Sequence, residues 1–372
     1  MSKHILITGG AGFIGSFLTD ELIERGDRVR IFDSLEEQVH HGKVPEYLNA
    51  KAEFVKGDVR NREQLAAALD GIDTVIHCAA AVGVAQSQYE IKRYTDINVG
   101  GLANLLDIIV NDKKPVKQIL MPTSMTAYGE GVHICKTHGA IRPGLRPESQ
   151  LKNNDWQLHC PQCHAVVQPI ATPETATRES GTMYALTKNM QEDMLLSFGQ
   201  YYGIQTTAFR LFNVYGPRQS LSNPYTGVTA IFLSRLKNNQ QPVIFEDGKQ
   251  SRDFISVHDV VNAFLLALDN PKAAGHMFNI GSGNMTTIED IALTLAKLTQ
   301  SSLKPKIEAQ YRLNDVRHCF ADTTKAQSIL GWKPAISFDE GMRELVEWSA
   351  NQQAEDRFEE AEAIRKRKLH SS

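Results

Sequence analysis

At 372 residues, with a net charge of −3 and 42% hydrophobic residues, the chain can bury a large core in one to three domains and lacks the basic field that a nucleic-acid partner needs. No apolar run reaches membrane-spanning length, and the first residues enter a strand with no secretory layout, so a cytoplasmic protein with no membrane partner is expected. Its five cysteines are then expected to be reduced, with paired ones serving as metal ligands rather than disulfides.

Residues 5–7 predict a strand, followed by Gly9-Gly10-Ala11-Gly12-Phe13-Ile14-Gly15 and apolar residues at helical spacing through Ile23. A second strand over 29–32 ends at Asp33. A lone glycine-rich turn needs nothing more than a tight bend. Strand, glycine turn, helix, strand and acid together form a dinucleotide-binding unit. Gly9, Gly12 and Gly15 let the backbone approach a pyrophosphate at the N-terminus of a helix that Phe13 and Ile14 open. The Asp33 carboxylate can accept both ribose hydroxyls and would repel a 2′-phosphate, which favours NAD over NADP.

A third strand over 53–55 leads to Asp58 and Val59, placed to flank the adenine. A short helix over 63–69 follows, then a strand over 74–81 that ends in Cys78, Ala79, Ala80 and Ala81. Small residues there leave room for a cofactor across the sheet, and Cys78 reads as a core thiol. A helix over 96–110 contributes Asn98, the next expected cofactor residue, before a fifth strand over 118–121. The alternation predicts an α/β fold with a Rossmann-type doubly wound parallel sheet.

That strand runs into the polar turn Thr123-Ser124-Met125-Thr126-Ala127-Tyr128-Gly129. Residues 130–175 lose all periodicity and carry Cys135-Lys136-Thr137-His138 and Cys160-Pro161-Gln162-Cys163, 21 residues apart. Paired ligands with a two-residue gap suit a closed, four-coordinate structural zinc site of Cys135, His138, Cys160 and Cys163. His133, His159 and His164 are nearby alternatives for the histidine. A metal would also organise so long a loop. Beyond it, Tyr184 and Lys188 share one face of a helix over 184–202, and Lys188 is also counted with the cofactor. A hydroxyl at a strand end and a Tyr/Lys pair can move a proton beside a bound cofactor.

A strand over 206–211, a loop over 213–218, a helix over 229–237, the segment 277–280, a helix from 288 and a helical region around 325–330 complete the pattern. The tail after residue 351 is acidic first and basic last and reads as a solvated helix, or alternatively as a binding patch.

These residues resemble the extended short-chain dehydrogenase/reductase superfamily. The resemblance rests on Gly9-x-x-Gly12-x-x-Gly15, Asp33, Asp58, the Ser124 turn, Tyr184-x-x-x-Lys188, Arg210-x-Phe212-Asn213-x-Tyr215-Gly216-Pro217 and Arg252-Asp253-Phe254. It implies an NAD-dependent enzyme of nucleotide sugars, often a homodimer through two helices per subunit. It assigns Asn213, Arg252 and Arg317 to the substrate's diphosphate, with surface ion pairing as the alternative for the arginines. Residues 1–130 and 176–215 would bind NAD, 131–175 would be the Cys/His insertion, 216–350 mainly the smaller substrate domain and 351–372 a polar tail.

The dehydratases of the superfamily are similar but carry an Asp-Glu pair where this chain has Met125 and Thr126, and the 3,5-epimerases carry a cysteine. Neither residue here moves a proton in that way, so the turn resembles that of the sugar 4-epimerases. The insertion resembles that of the dTDP-L-rhamnose 4-epimerases, with His164 in place of an expected glycine. The resemblance implies a Tyr184 base, lowered by Lys188 and the cationic nicotinamide, a Ser124 hydrogen-bond donor and a transient 4-keto sugar. A 4-keto-sugar reductase, another UDP-, GDP- or CDP-sugar epimerase and an idle NAD-binding scaffold are the rivals. The insertion is expected to border the sugar site.

Overall fold

The computed structural model describes residues 2–369, so the end of the expected tail, 370–372, lies outside the described residues. Seven parallel strands form the central sheet. Their order is His276–Ile280, Gln205–Leu211, Gln118–Ser124, Thr74–His77, His4–Thr8, Arg28–Asp33 and Glu53–Lys56. Strand alternation sorts the side chains between two cores. Ile5, Ile7, Ile31 and Leu120 join Leu18, Leu22 and Phe264 on one face. Leu6, Phe32, Ile119 and Met121 join Leu65, Leu102, Leu105 and Leu195 on the other. Helices cover both faces, which explains why the strands read as continuous apolar runs. His4–Thr8 pairs with Arg28–Asp33 on one side and Thr74–His77 on the other, so the strand order reverses there and a crevice opens at the strands' carboxyl ends.

A third core, with Tyr215, Phe232, Leu233, Phe254, Ile291, Leu295 and Met342, makes the smaller lobe. The expected division at residue 215 is not clean. Helix Val257–Asp269 and strand His276–Ile280 return to the large sheet, where Phe264 and Phe278 lie 4.1 and 6.3 Å from the Phe209 ring. Asn213–Tyr215, expected as loop, is a short strand paired in parallel with Phe254–Ser256. Gly-Pro at 216–217 marks its end rather than its middle.

The insertion is more regular than its sequence suggests. Val132–Cys135 is the centre of an antiparallel sheet, flanked by Gly139–Ile141 and Gln168–Ile170. Strands of three or four residues are too short for a period-two pattern to register. The tail also departs from expectation. It forms helix Phe358–Leu369, with Phe358, Ala361 and Arg365 buried on one face. Those positions recur at helical spacing, but the charged residues between them hide the pattern.

Candidate active site

A cleft of about 650 Å³ runs from the glycine turn to the smaller lobe, a volume typical of small-molecule sites. Gly9, Gly12, Phe13, Ile14 and Gly15 line one end. A Cβ at Gly9, where φ is +68°, would stand 2.7 Å from Ala79 N, and one at Gly15 would stand 2.4 Å from Gly9 O. Only glycine allows this close packing of turn, strand and helix. Gly12 caps the helix Phe13–Glu24 in an extended conformation with no side chain over the first N–H groups, which leaves them open to an anion.

Asp33 is buried at the end of its strand, with Oδ2 accepting from Ala11 N at 3.0 Å and Oδ1 from Leu35 N at 2.8 Å. Its carboxylate faces the cleft with Asp58 and Val59, and Ala79 and Ala80 form the floor. Asp58 is clamped by Arg60, whose Nε lies 3.0 Å from both carboxylate oxygens. A glycine cradle, a carboxylate at the ribose position and a floor without side-chain bulk fit a dinucleotide.

Asn98 stands beneath the cleft floor. It does not line the cleft. It is fully buried, with Oδ1 accepting from Ala81 N at 2.8 Å and Nδ2 donating to Ala81 O at 3.2 Å and Thr187 Oγ1 at 3.0 Å. It therefore ties the cleft floor to the Tyr/Lys helix. The expected single helix over 96–110 is interrupted here: Thr95–Gly100 is a π-helical turn and the α-helix begins at Gly101. The wider turn allows the Asn98 carbonyl to accept from Gln191 Nε2 at 2.8 Å.

Ser124 ends its strand and caps the turn Met125–Tyr128, accepting from Thr126 N at 3.3 Å. The Thr126 hydroxyl also donates to Ser124 Oγ, at 3.0 Å. Tyr184 and Lys188 project from helix Met183–Tyr202, which Thr182 caps by accepting from Ala185 N at 3.2 Å. Ser124, Tyr184 and Lys188 all line the cleft beside the alanine floor.

Burial pushes the Tyr184 phenol up to about 12, with the Ser124 hydroxyl acting in the opposite direction. Burial also brings the Lys188 ammonium down to about 8, and its Nζ donates to Pro122 O at 3.2 Å. The expected lowering of the phenol by Lys188 together with the cationic nicotinamide concerns the NAD-bound protein; without the cofactor, burial dominates. Desolvation is the main cause of each shift.

At the other end, Asn213 lines the cleft with its Oδ1 buried and unpartnered. Arg252 lines it too, held by Asp315 at 3.0 Å and by the Ser251 carbonyl at 2.9 Å. Arg317 is placed differently. Its guanidinium is 1% exposed and outside the lining, and binds Asp247 at 2.6 and 2.8 Å and Glu246 at 3.0 Å. The arginine of this segment that lines the cleft is Arg312, which sequence reasoning missed. Its Nε is buried without a partner and its guanidinium lies 4.7 Å from the Phe245 ring centre. In an irregular stretch nothing in the spacing tells which arginine faces inward.

The cysteine cluster lies in the insertion. The Sγ atoms of Cys135, Cys160 and Cys163 and a ring nitrogen of His138 fall within 4.8 Å of one another. Cys135 Sγ is 3.6 Å from Cys163 Sγ, and His138 Nδ1 is 3.4 Å from Cys160 Sγ. The His138 and Thr137 backbone N–H groups bring the Cys135 thiol down to about 6, toward the thiolate that binds metal. Of 131–175, only Leu145 lines the cleft, so the insertion borders the site at a single residue.

Comparison with known proteins agrees with this layout. The NAD dependent epimerase/dehydratase family matches residues 5–149 and 161–281, with the gap inside the insertion. A dTDP-L-rhamnose 4-epimerase of Burkholderia thailandensis is 36% identical over 94% of this chain and 96% of its own. The UDP-glucose 4-epimerase of Thermotoga maritima, solved with UDP-glucose, superposes with a TM-score of 0.77 at 32% identity, covering 93% of this chain and 98% of that one. The UDP-glucose 4-epimerase of Thermus thermophilus, solved with NAD, gives 0.75 at 26% identity over 94% of this chain and 100% of that one.

Proposed function

From the premise that the chain belongs to the NAD dependent epimerase/dehydratase family, we propose that it is an NAD-dependent nucleotide-sugar 4-epimerase. The observation that carries the reading is the convergence of Ser124, Tyr184 and Lys188 on one cleft with the dinucleotide cradle, while Met125 and Thr126 replace any acid/base pair beside Ser124. Gly9, Gly12, Phe13, Ile14, Gly15, Asp33, Asp58, Val59, Ala79, Ala80 and Lys188 would hold NAD. Bound NAD would supply the hydride acceptor and donor for oxidation and reduction at carbon 4 of the sugar.

Tyr184 takes the proton of the sugar 4-hydroxyl and gives it back when the 4-keto sugar is reduced. Ser124 donates a hydrogen bond to the same sugar oxygen as charge develops on it. A phenol near 12 needs a positive neighbour to act as a base at neutral pH, so proton transfer is tied to the oxidised, cationic cofactor. Arg252 and Arg312 receive the diphosphate, which guanidinium groups bind in bidentate fashion. Asn213 Oδ1, otherwise unpartnered, accepts from a substrate hydroxyl.

The 36% identical relative favours dTDP-L-rhamnose and dTDP-6-deoxy-L-talose as the interconverted pair. The test is incubation of NAD-loaded protein with dTDP-, UDP- and GDP-sugars. The expected result is a mixture of 4-epimers from dTDP-L-rhamnose without net change in NADH. Steady NADH consumption would instead mean a reductase, and no conversion of any sugar would refute the assignment. Cys135, His138, Cys160 and Cys163 would hold one structural zinc. A cytoplasmic homodimer completes the proposal, and no described helix is long and apolar enough to cross a membrane.

A further inference from the structure

The helix Phe358–Leu369 does not project into solvent. It lies along the mouth of the cleft, and Phe358, Ala361, Glu362 and Arg365 are part of the lining. Arg235 of the smaller lobe fixes its start. That guanidinium sits 4.6 Å from the Phe358 ring centre and lies 3.3 Å from both Asp356 and Glu359. The chain leading in is held as well, by Glu355 N donating to Ser222 Oγ at 3.0 Å and Asn238 Nδ2 donating to Ala354 O at 2.8 Å.

One turn further on, the helix meets the cleft arginine. Glu362 Oε1 accepts from Arg312 Nη2 at 2.5 Å and Oε2 accepts from Arg365 Nε at 2.8 Å. One carboxylate thus holds two guanidinium groups side by side on the cleft wall. Phe358 and Phe245, 6.4 Å apart, close the apolar end of the same wall.

We propose that this C-terminal helix is a wall of the substrate site, and that Arg365, positioned by Glu362 beside Arg312, binds the nucleoside diphosphate half of the substrate. The aromatic end accommodates a base, and paired guanidinium groups match phosphate oxygens in shape and charge. The assignment rests on the nucleotide-sugar reading above, but not on the identity of the sugar or on turnover.

The experiment is calorimetric titration of dTDP into the NAD-loaded full-length protein, with Arg365→Ala, Arg365→Lys and Glu360→Gln compared with the unaltered chain. Loss of a charge-assisted contact predicts binding about tenfold weaker for Arg365→Ala. Lysine should restore part of it, and Glu360→Gln, on the exposed face, should bind like the unaltered chain. With sugar substrate, Arg365→Ala should raise KM and leave kcat within about twofold, because the lost contact is remote from the reacting carbon. Unchanged dTDP affinity in Arg365→Ala overturns the assignment.

Should Arg365→Ala unfold, hydrogen exchange on the unaltered protein decides. Saturating dTDP must slow exchange across residues 352–369, and unchanged exchange there overturns the proposal. A protein that binds no nucleotide at all refutes the nucleotide-sugar reading itself. One that binds dTDP through Arg365 but isomerises no sugar refutes only the epimerase.

Discussion

Tyr184 and Lys188 are driven apart on the pH scale, the phenol up to about 12 and the ammonium down to about 8, with burial the main cause of both. The pair is a proton-transfer site that needs added positive charge to work near neutrality. Tyr184→Phe removes the proton acceptor but not the cofactor cradle. Turnover should fall by a factor of at least about 100, the low end for a lost general base, with bound NAD unchanged by absorbance. Normal turnover would eliminate Tyr184 as the base.

Lys188 makes a separate prediction for stability. Its folded pKa lies below the unfolded value of 10.5, so folding is penalised wherever the folded lysine must carry a proton, fully below about 8. The penalty relaxes as pH rises from about 8 to 10.5. Lys188→Met should therefore raise the melting temperature of the cofactor-free protein at pH 7, and the gain should shrink toward pH 10.5. The charge term is about 3 kcal/mol at most, offset by about 1 kcal/mol for the lost bond to Pro122 O. Equal gains at both ends of that range would refute it. Tyr184 and Lys188 were legible from their spacing alone, because a separation of four has one meaning on a helix. Asn98 was legible as important but not as a tie beneath the floor, since burial is decided by packing rather than by residue type.

Among the elements, the insertion shows why a metal would matter to a site it barely touches. It carries Arg146, whose buried guanidinium meets Glu130 at 3.2 Å and Glu246 at 2.9 Å and donates to the Asp315 carbonyl at 3.0 Å. Glu130 follows the Ser124 turn directly, and Asp315 holds Arg252. Burial pushes the Glu130 carboxyl up to about 7 despite Arg146 beside it, so this junction is poorly solvated. Removing one partner from such a network costs about 3–5 kcal/mol.

The pure protein should contain one zinc per chain by mass spectrometry. Cys160→Ser should lose it, become sensitive to protease within residues 131–175, and turn over more slowly with NAD still bound. A metal-free variant with full activity and no new cleavage would show the cluster to be dispensable. The cysteine spacing announced this site because ligand geometry is local. The insertion's strands stayed hidden because three or four residues are too few to show a period, and the buried face of the last helix because it depends on a distant partner, Arg235 against Phe358.

For the whole molecule, the catalytic helix has two faces to account for. Its inner face carries Tyr184, Lys188, Gln191 and Leu195 into the protein, and these contacts were foreseeable from the helical period. Its outer face leaves Leu186 and Met190, four residues apart, 45% and 51% exposed, and Ile91 on the neighbouring helix is 48% exposed. In the proposed homodimer these apolar side chains would lie in the subunit contact, where a self-complementary patch suits two-fold symmetry. A second copy packed here would buttress the helix that positions Tyr184. Leu186→Glu combined with Met190→Glu puts like charges on both sides of that contact, and sedimentation should then report a monomer where the unaltered chain is a dimer. Because the two residues flank Tyr184 and Lys188 on one helix, the monomer should also melt earlier and turn over more slowly, while dTDP affinity, set in the other lobe, stays the same. A double variant that remains dimeric would place the subunit contact elsewhere, and an unaltered chain that sediments as a monomer would remove the dimer altogether.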